Sequence, residues 1–296
     1  MSQMSFKQKY NKTIPLPDLS PTSRYHIHYT LLLSAVPLVC GLVLILLLSV
    51  FSKLNLYFLE ANGMLLDEQV RDAYFKQVEL ETFSVVGYLF LQVFVTAIAS
   101  FVVMRWATAP FTGAQKMIRQ AMANPNALKP ASRWLSESPI FDRLIWLFCL
   151  RIKSGGENQV KTPLPSFGTN IPFLVKFLAV FITLSFSTGY VLSIIMESVY
   201  GRIVDLGLHL TKSTGATGHY FLAQQEMLQD ANTLTTACAL ACYFVLGLSI
   251  SRYMATMLFV FSKAVHQDRF PVTLRADDVY SELADTVNQA RASIKE

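Results

Sequence analysis

Residues 250–296 read ISRYMATMLFVFSKAVHQDRFPVTLRADDVYSELADTVNQARASIKE, and they combine the end of an apolar segment with two helical patterns. Apolar residues recur in steps of three and four in both patterns, and the connector RFPVTLRAD lies between them. Such steps are typical of the seam of a coiled coil rather than of a broad core-facing surface. We therefore expect two relay helices below a membrane span, with a seam formed by Met254, Leu258, Phe261, Val265, Tyr280, Leu283, Val287, Ala290 and Ile294.

The connector and second helix resemble the HAMP domain, the linker module of bacterial transmembrane receptors. That family has a Gly-Asp-Leu turn, an Asp-Glu-x-Gly-x-Leu helix start and a closing Phe-Asn pair. Here Asp268 and Phe270 stand in the turn, Asp278 and Leu283 stand at the helix start, and Asn288 stands in the closing pair. The departures from the family pattern are Met254 for a proline, Val279 for the glutamate and Ser281 for the glycine. The resemblance implies a bistable parallel four-helix bundle, which requires two such units.

The composition is that of a membrane protein. Of the 296 residues, 52% are hydrophobic and only 15% are charged, whereas soluble domains have about 25% charged residues. About 20 apolar residues cross a bilayer as a helix. Four segments reach that length, so we predict an all-α protein with four transmembrane helices at about 29–51, 83–104, 171–196 and 233–251.

Lysine and arginine are concentrated in the two ends of the chain and in the long middle loop, and they are scarce in the two short loops at 53–82 and 197–232. The positive-inside rule then predicts that both termini lie in the cytoplasm, and the resemblance to HAMP proteins implies a multi-pass protein of the bacterial inner membrane. The net charge of +5 has this explanation, and no alternating basic and aromatic stretch indicates nucleic acid. The predicted regions are a basic tail (1–28), a first transmembrane hairpin (29–106), a cytoplasmic segment (107–170), a second hairpin (171–251) and a cytoplasmic HAMP-like unit (252–296).

The middle segment carries a degenerate copy of the same pattern. Pro110 stands where the family has proline, and Asn124 follows it at the spacing that separates Met254 from Asp268. Leu144 and Phe148 match the leucine of the second helix and the closing pair, but the acidic pair is replaced. We therefore expect two span–loop–span–cytoplasmic repeats; the alternative is that 107–153 forms two amphipathic helices on the cytoplasmic face. The two HAMP-like units could pair within one chain, or two chains could form a homodimer.

Motifs for catalysis are absent from the sequence. It has no glycine-rich phosphate loop, no HExxH and no nucleophile elbow, and we expect no cofactor or metal. His266 is not expected to be a kinase phosphoacceptor, because too few residues follow it for an ATP-binding domain. Three of the four cysteines lie in apolar segments, and none lies in a predicted external loop, so no disulfide framework is expected.

These features predict a non-enzymatic signal-relay protein whose partners are the lipid bilayer and a protein in the membrane or cytoplasm. In size and layout the chain is similar to HAMP proteins without an output domain, which act as regulators in polar-flagellar gene hierarchies. A membrane scaffold or assembly factor of a larger complex is the leading alternative, and a transporter is the third. Transport of ions requires ionisable groups at mid-membrane depth, and the predicted spans contain almost none.

Overall fold

The structure is a computed structural model that describes residues 20–63, 67–128, 139–155, 171–210, 216–266, 271–275 and 278–295. Within these ranges the chain forms six α-helices, one short 3-10 helix at Pro125–Ala127 and no strand. The α-helices in chain order are α1 (Pro21–Ala61), α2 (Glu68–Ala123), α3 (Pro139–Lys153), α4 (Ile171–Leu210), α5 (Ala216–His266) and α6 (Ser281–Lys295). The all-α prediction is confirmed.

Four of these helices, α1, α2, α4 and α5, are long and apolar enough to cross a membrane. Large apolar side chains are exposed along a belt on their outer surfaces, which ends on α2 at Val102 and on α5 at Leu248. At 1.5 Å per residue, the 56 residues of α2 extend about 84 Å, against about 30 Å for the hydrocarbon core of a bilayer. The protein is thus built as a multi-pass membrane protein whose helices project beyond the bilayer.

The helices begin earlier and end later than the apolar segments. Helix α1 begins at Pro21, and Ser20 caps it by accepting a hydrogen bond from the Ser23 amide at 3.3 Å. Proline is favourable in the first turn because the N–H groups of that turn have no hydrogen-bond partner within the helix, so the N–H that proline lacks is not needed. Residues 21–28, which belong to the predicted basic tail, are therefore helical. In the same way, most of the predicted loop 53–82 belongs to α1 and α2.

Helices α1 and α2 form one antiparallel hairpin, and α4 and α5 form the other. Each hairpin contains a glycine where the backbones approach closely: a Cβ at Gly41 would overlap Leu89, and one at Gly189 would lie 2.5 Å from the methyl group of Thr236. The two halves of the chain match in helix length, with 41, 56 and 15 residues in the first and 40, 51 and 15 in the second.

Buried side chains form two apolar clusters. One lies toward the end where α1 turns into α2, which we call the hairpin end. The other extends from the belt to the opposite end, where α3 and α6 pack against the last turns of α2 and α5; we call this the bundle end. All six helices contribute to one cluster or both, so the two halves form a single packed unit.

Candidate functional site

The bundle end is where the predicted relay residues converge. Beyond the belt, α2 buries residues in alternating steps of three and four, as a coiled-coil seam does: Met104, Ala107, Phe111, Ala114, Ile118 and Ala121. Helix α3 adds a face formed by Phe141, Leu144, Ile145, Phe148 and Cys149. These side chains join those of α5 and α6 in one cluster, so four helices, two from each half, share a core.

An aromatic layer lies at the centre of this core. The ring of Phe111 in α2 lies 4.2 Å from that of Tyr280, 5.8 Å from Phe141 and 6.1 Å from Phe261, measured between centroids. Tyr280 precedes α6, Phe141 lies in α3 and Phe261 lies in α5. Aromatic pairs at such separations contribute roughly 0.5–1.5 kcal/mol beyond their burial. Aromatic residues from α2, α3 and α5 and from the start of α6 therefore meet at the same level.

Helix α6 runs in the same direction as the end of α2. Tyr280 contacts Phe111, and two residues further on Glu282 accepts a hydrogen bond from Gln115 at 3.0 Å and lies 3.5 Å from the Arg119 guanidinium. Along this contact, residue numbers increase in the same direction in both helices. The interaction with Arg119 is exposed and therefore contributes little to stability, but it fixes the register between the two halves.

The start of α6 is attached to α5 by two phenol groups. The Tyr253 hydroxyl donates to Asp278 Oδ1 at 2.9 Å, and the Tyr280 hydroxyl donates to the Met254 sulfur at 2.9 Å. The same Asp278 oxygen accepts from the backbone N–H of Tyr280 at 3.0 Å, as in an Asx turn that opens a helix. Burial raises the pKa of Tyr280 well above its usual value, so this hydroxyl remains a donor at physiological pH.

Asn288 holds the connector against α6. Its amide nitrogen donates to the carbonyl oxygen of Val272 at 2.8 Å, and its Oδ1 accepts from the N–H of Val272 at 3.2 Å. Val272 itself is buried in the core. One side chain therefore satisfies both backbone groups of an extended segment, which has no strand partner to do so.

The residues predicted from sequence lie in this one region. Tyr280 and the seam residues of α5 and α6 are buried, except that Ile294 is partly buried against the same core. Pro110 is buried within α2, and Leu144 and Phe148 are buried in α3. Asp268 and Phe270 fall outside the described residues. The relay role of all of these residues remains a prediction.

The sequence did not indicate that α1 takes part. The Tyr25 ring lies 4.5 Å from Tyr29 and 6.3 Å from Tyr253, and Tyr253 stacks 6.0 Å from Tyr280. His26 Nε2 lies 2.7 Å from the hydroxyl of the buried Thr108 in α2. The first turns of α1 therefore rest on the entrance to the bundle. Isolated polar and aromatic residues before a span give no periodic signal that would reveal this.

The hairpin end holds a second group of buried polar residues. Glu81 in α2 is almost fully buried, accepts from Gln77 at 2.9 Å and lies 3.3 Å from the Arg202 guanidinium of α4. The Tyr200 hydroxyl donates to Gln224, whose amide donates to the Tyr220 hydroxyl. These contacts join the two halves at the far end from the bundle. In the sequence Glu81 is only one of several acids in a polar loop.

Polar contacts within the belt involve neutral groups. The Gln92 amide donates to Thr188 at 3.3 Å, which connects α2 to α4, and the Tyr243 hydroxyl donates to the Leu33 carbonyl at 3.2 Å. Neutral hydrogen bonds of this kind hold helices together in a membrane. They provide no charged pathway of the kind that ion transport requires.

Among the described residues of the bundle end, we find no group arranged for catalysis. Cys149 is fully buried, and that burial raises the pKa of its thiol to about 12, so it is not a nucleophile at neutral pH. Across the described residues, no group of three or more His, Cys, Asp or Glu side chains could hold a metal ion. What the bundle offers chemically is a set of packed helices with polar outer faces.

Comparison with known proteins identifies no relative, since no family model, curated protein or solved structure matches the chain.

Proposed function

We propose that this protein is a non-enzymatic membrane relay in which the two HAMP-like units of one chain pair with each other. In this proposal the membrane helices α2 and α5 carry a change in position or rotation to the bundle. The bundle in turn alters the surface that it offers to a cytoplasmic or membrane partner. Because relay modules of this type are bistable, small shifts of their input helices favour one packing over another.

The observation that carries the proposal is the aromatic layer. Phe111 and Phe141 come from the first half of the chain, and Phe261 and Tyr280 come from the second. A HAMP bundle requires two helix–connector–helix units, and in this proposal a single chain supplies both. The similar helix lengths of the two halves support a repeat, and the missing acidic pair before α3 leaves that unit as the degenerate one.

The paths of α2 and α5 support a relay. Each helix continues without interruption from the hairpin end through the belt into the bundle. A continuous helix transmits rotation and axial shift over its length, whereas a loop at the membrane surface would absorb them. The buried Glu81 and its partner Arg202 join α2 to α4 at the opposite end, where a change could begin.

Charge supports a cytoplasmic bundle. Among described residues of the hairpin end, acids outnumber bases: Glu60, Asp67, Glu68, Asp72, Glu79, Glu81, Glu197, Asp205, Glu226 and Asp230 against Lys53, Arg71, Lys76 and Arg202. Basic residues predominate at the bundle end. The positive-inside rule then favours an inner membrane orientation with the bundle and both termini in the cytoplasm. A role in flagellar regulation rests on the resemblance alone.

A relay and a static scaffold differ in whether the two ends are coupled. Replacing Arg202 with methionine removes the partner of a buried carboxylate at the hairpin end, while leaving the bundle residues unchanged. If the protein is a relay, amide hydrogen exchange in α6 should change several-fold in this variant. The matched control is Arg71→Gln, which removes the exposed local pair with Glu68 and should leave α6 unchanged.

The scaffold alternative gives the opposite result. In a static assembly, Arg202→Met should raise exchange only near residues 77–81 and 198–202, and α6 should match the unmodified protein. That outcome in a folded, helical variant would contradict the relay. Hydrogen exchange measured by mass spectrometry on full-length protein in nanodiscs resolves these peptides separately.

A further inference from the structure

A cleft between α4 and α5 lies at the edge of the apolar belt near the hairpin end. It has a volume of about 160 Å³ and is lined on one side by Glu197, Tyr200 and Gly201 and on the other by Gln229 and Asn232. This is smaller than a pocket for a drug-sized ligand. It is large enough for a small headgroup-sized molecule.

The unused hydrogen-bonding capacity at this cleft belongs to acceptors. Asn232 is more than nine-tenths buried, its amide nitrogen donates to Ser193 at 2.8 Å, and its Oδ1 has no partner among the described residues. The Ser193 hydroxyl is directed at the Glu197 carboxylate at 3.4 Å. A buried acceptor left without a donor costs roughly 1–3 kcal/mol, which a ligand with N–H groups would recover.

Tyr200 adds to the same preference. Its hydroxyl already donates to Gln224 at 3.0 Å, so only the lone pairs of its oxygen remain to interact with a ligand. Such lone pairs attract positive charge and accept hydrogen bonds. Among the residues that the structure describes, no lysine or arginine lines the cleft, and the acidic surface of the hairpin end raises the local concentration of cations.

We infer that this cleft binds a primary ammonium group, with Glu197 and Asn232 accepting its hydrogen bonds. A divalent metal ion fits less well, because Glu197 is the one carboxylate among the described residues of the lining and such ions prefer several charged oxygen ligands. Exposed apolar residues, Ile194 on α4 and Leu234 on α5, lie beside the cleft toward the belt. The ammonium can therefore come from a free amine or from the headgroup of phosphatidylethanolamine. The inference does not depend on the relay, since it requires no second state of the bundle.

The test compares ethanolamine with choline, which carries the same positive charge but no N–H donor. Full-length protein in phosphatidylcholine nanodiscs is titrated with each compound by calorimetry. The lipid source is tested in parallel by native mass spectrometry of protein reconstituted with equal amounts of phosphatidylethanolamine and phosphatidylcholine. Ethanolamine binding identifies a free amine, and selective retention of phosphatidylethanolamine identifies the lipid; either result supports the site.

Two variants and a control locate the binding. We expect Glu197→Gln to weaken binding of the preferred ligand about tenfold or more, because a charge-assisted hydrogen bond is lost. Gly201→Leu should also weaken binding, because Gly201 lines the cleft and a leucine side chain there takes up space that the ligand needs. The fold should not be disturbed, since a Cβ at Gly201 meets no atom within 4 Å. Asp230→Asn removes an exposed charge of the same sign outside the lining and should have little effect.

Three results would overturn the inference: equal binding of choline and ethanolamine with no lipid preference, no binding of either compound or lipid, or equal weakening by Asp230→Asn and Glu197→Gln. Circular dichroism and thermal unfolding of each variant ensure that lost binding is not lost folding.

Discussion

Asn288 holds the connector through both hydrogen bonds of one side-chain amide. Asn288→Ala leaves the N–H and C=O of the buried Val272 without side-chain partners, which should cost roughly 1–3 kcal/mol. We expect faster amide exchange at residues 271–275 and a lower unfolding temperature. Gln289→Ala, at the exposed neighbouring position, is the control. Equal exchange in the two variants would show that Asn288 does not hold the connector.

Cys149 gives the bundle a pH dependence whose direction follows from burial. In the folded protein the pKa of its thiol is about 12, above the ordinary value of 9.0. The unfolded chain therefore loses this proton first as pH rises, so the contribution to stability is complete below about pH 9 and is lost between pH 9 and 12. Cys149→Ser should flatten that part of the stability curve. An unchanged slope would assign the pH dependence to other groups.

At the residue scale, the sequence predicted one half of the site better than the other. The seam of α5 and α6 could be read from periodicity because few polar residues interrupt it. The seam of α2 was missed because Ala107, Ala114 and Ala121 are too small to give a strong hydrophobic signal. Phe111, at the centre of the aromatic layer, was not among the residues predicted for the seam.

At the scale of elements, close packing between α4 and α5 depends on Gly247. A Cβ there would lie 2.7 Å from Cγ and 2.8 Å from Cβ of Phe181, atoms too close to the backbone of α4 to move freely. Gly247→Ala should therefore destabilise the second hairpin by about 1–3 kcal/mol through overpacking. The measurement is thermal unfolding of purified protein in detergent.

Gly87→Ala is the matched control for that substitution. It lies in α2 within the belt, and a Cβ there meets no atom within 4 Å. Alanine also favours the helix by roughly 1 kcal/mol over glycine, so Gly87→Ala should be neutral or stabilising. If both variants lost the same stability, the contact between Gly247 and Phe181 would not explain the effect.

Apolar length was enough to predict the four long helices, since few other structures use about 20 apolar residues in succession. Their full extent was not predictable from hydropathy, because polar residues such as Lys53, Asn55 and Glu60 continue a helix once it has begun. The sequence also did not show which helices cover the apolar surface of α3. Its apolar residues pack against α2 and α5, a contact that its own sequence does not specify.

At the scale of the whole molecule, the central claim is that both halves of one chain build the bundle. The sequence allowed the two HAMP-like units to pair within one chain or between two chains. It did not decide between these arrangements, because the same apolar seam would be buried in either. In the structure, the partly exposed Gln115 of the first half and the exposed Glu282 of the second are hydrogen-bonded at 3.0 Å. Cysteines at these two positions can therefore test whether the bundle forms within one chain, without changing the core.

The decisive measurement is a crosslink in Gln115→Cys/Glu282→Cys protein, with the exposed Cys238 and Cys242 replaced by serine. Chains from separate ¹⁴N and ¹⁵N cultures are mixed in detergent under conditions that exchange subunits, reconstituted together into membranes, oxidised, and digested for mass spectrometry. Gln115→Cys paired with Glu226→Cys, at opposite ends of the molecule, should give no crosslink within a chain. We predict linked peptides that are entirely light or entirely heavy. Mixed light–heavy peptides in statistical proportion would place the bundle between chains and contradict the account.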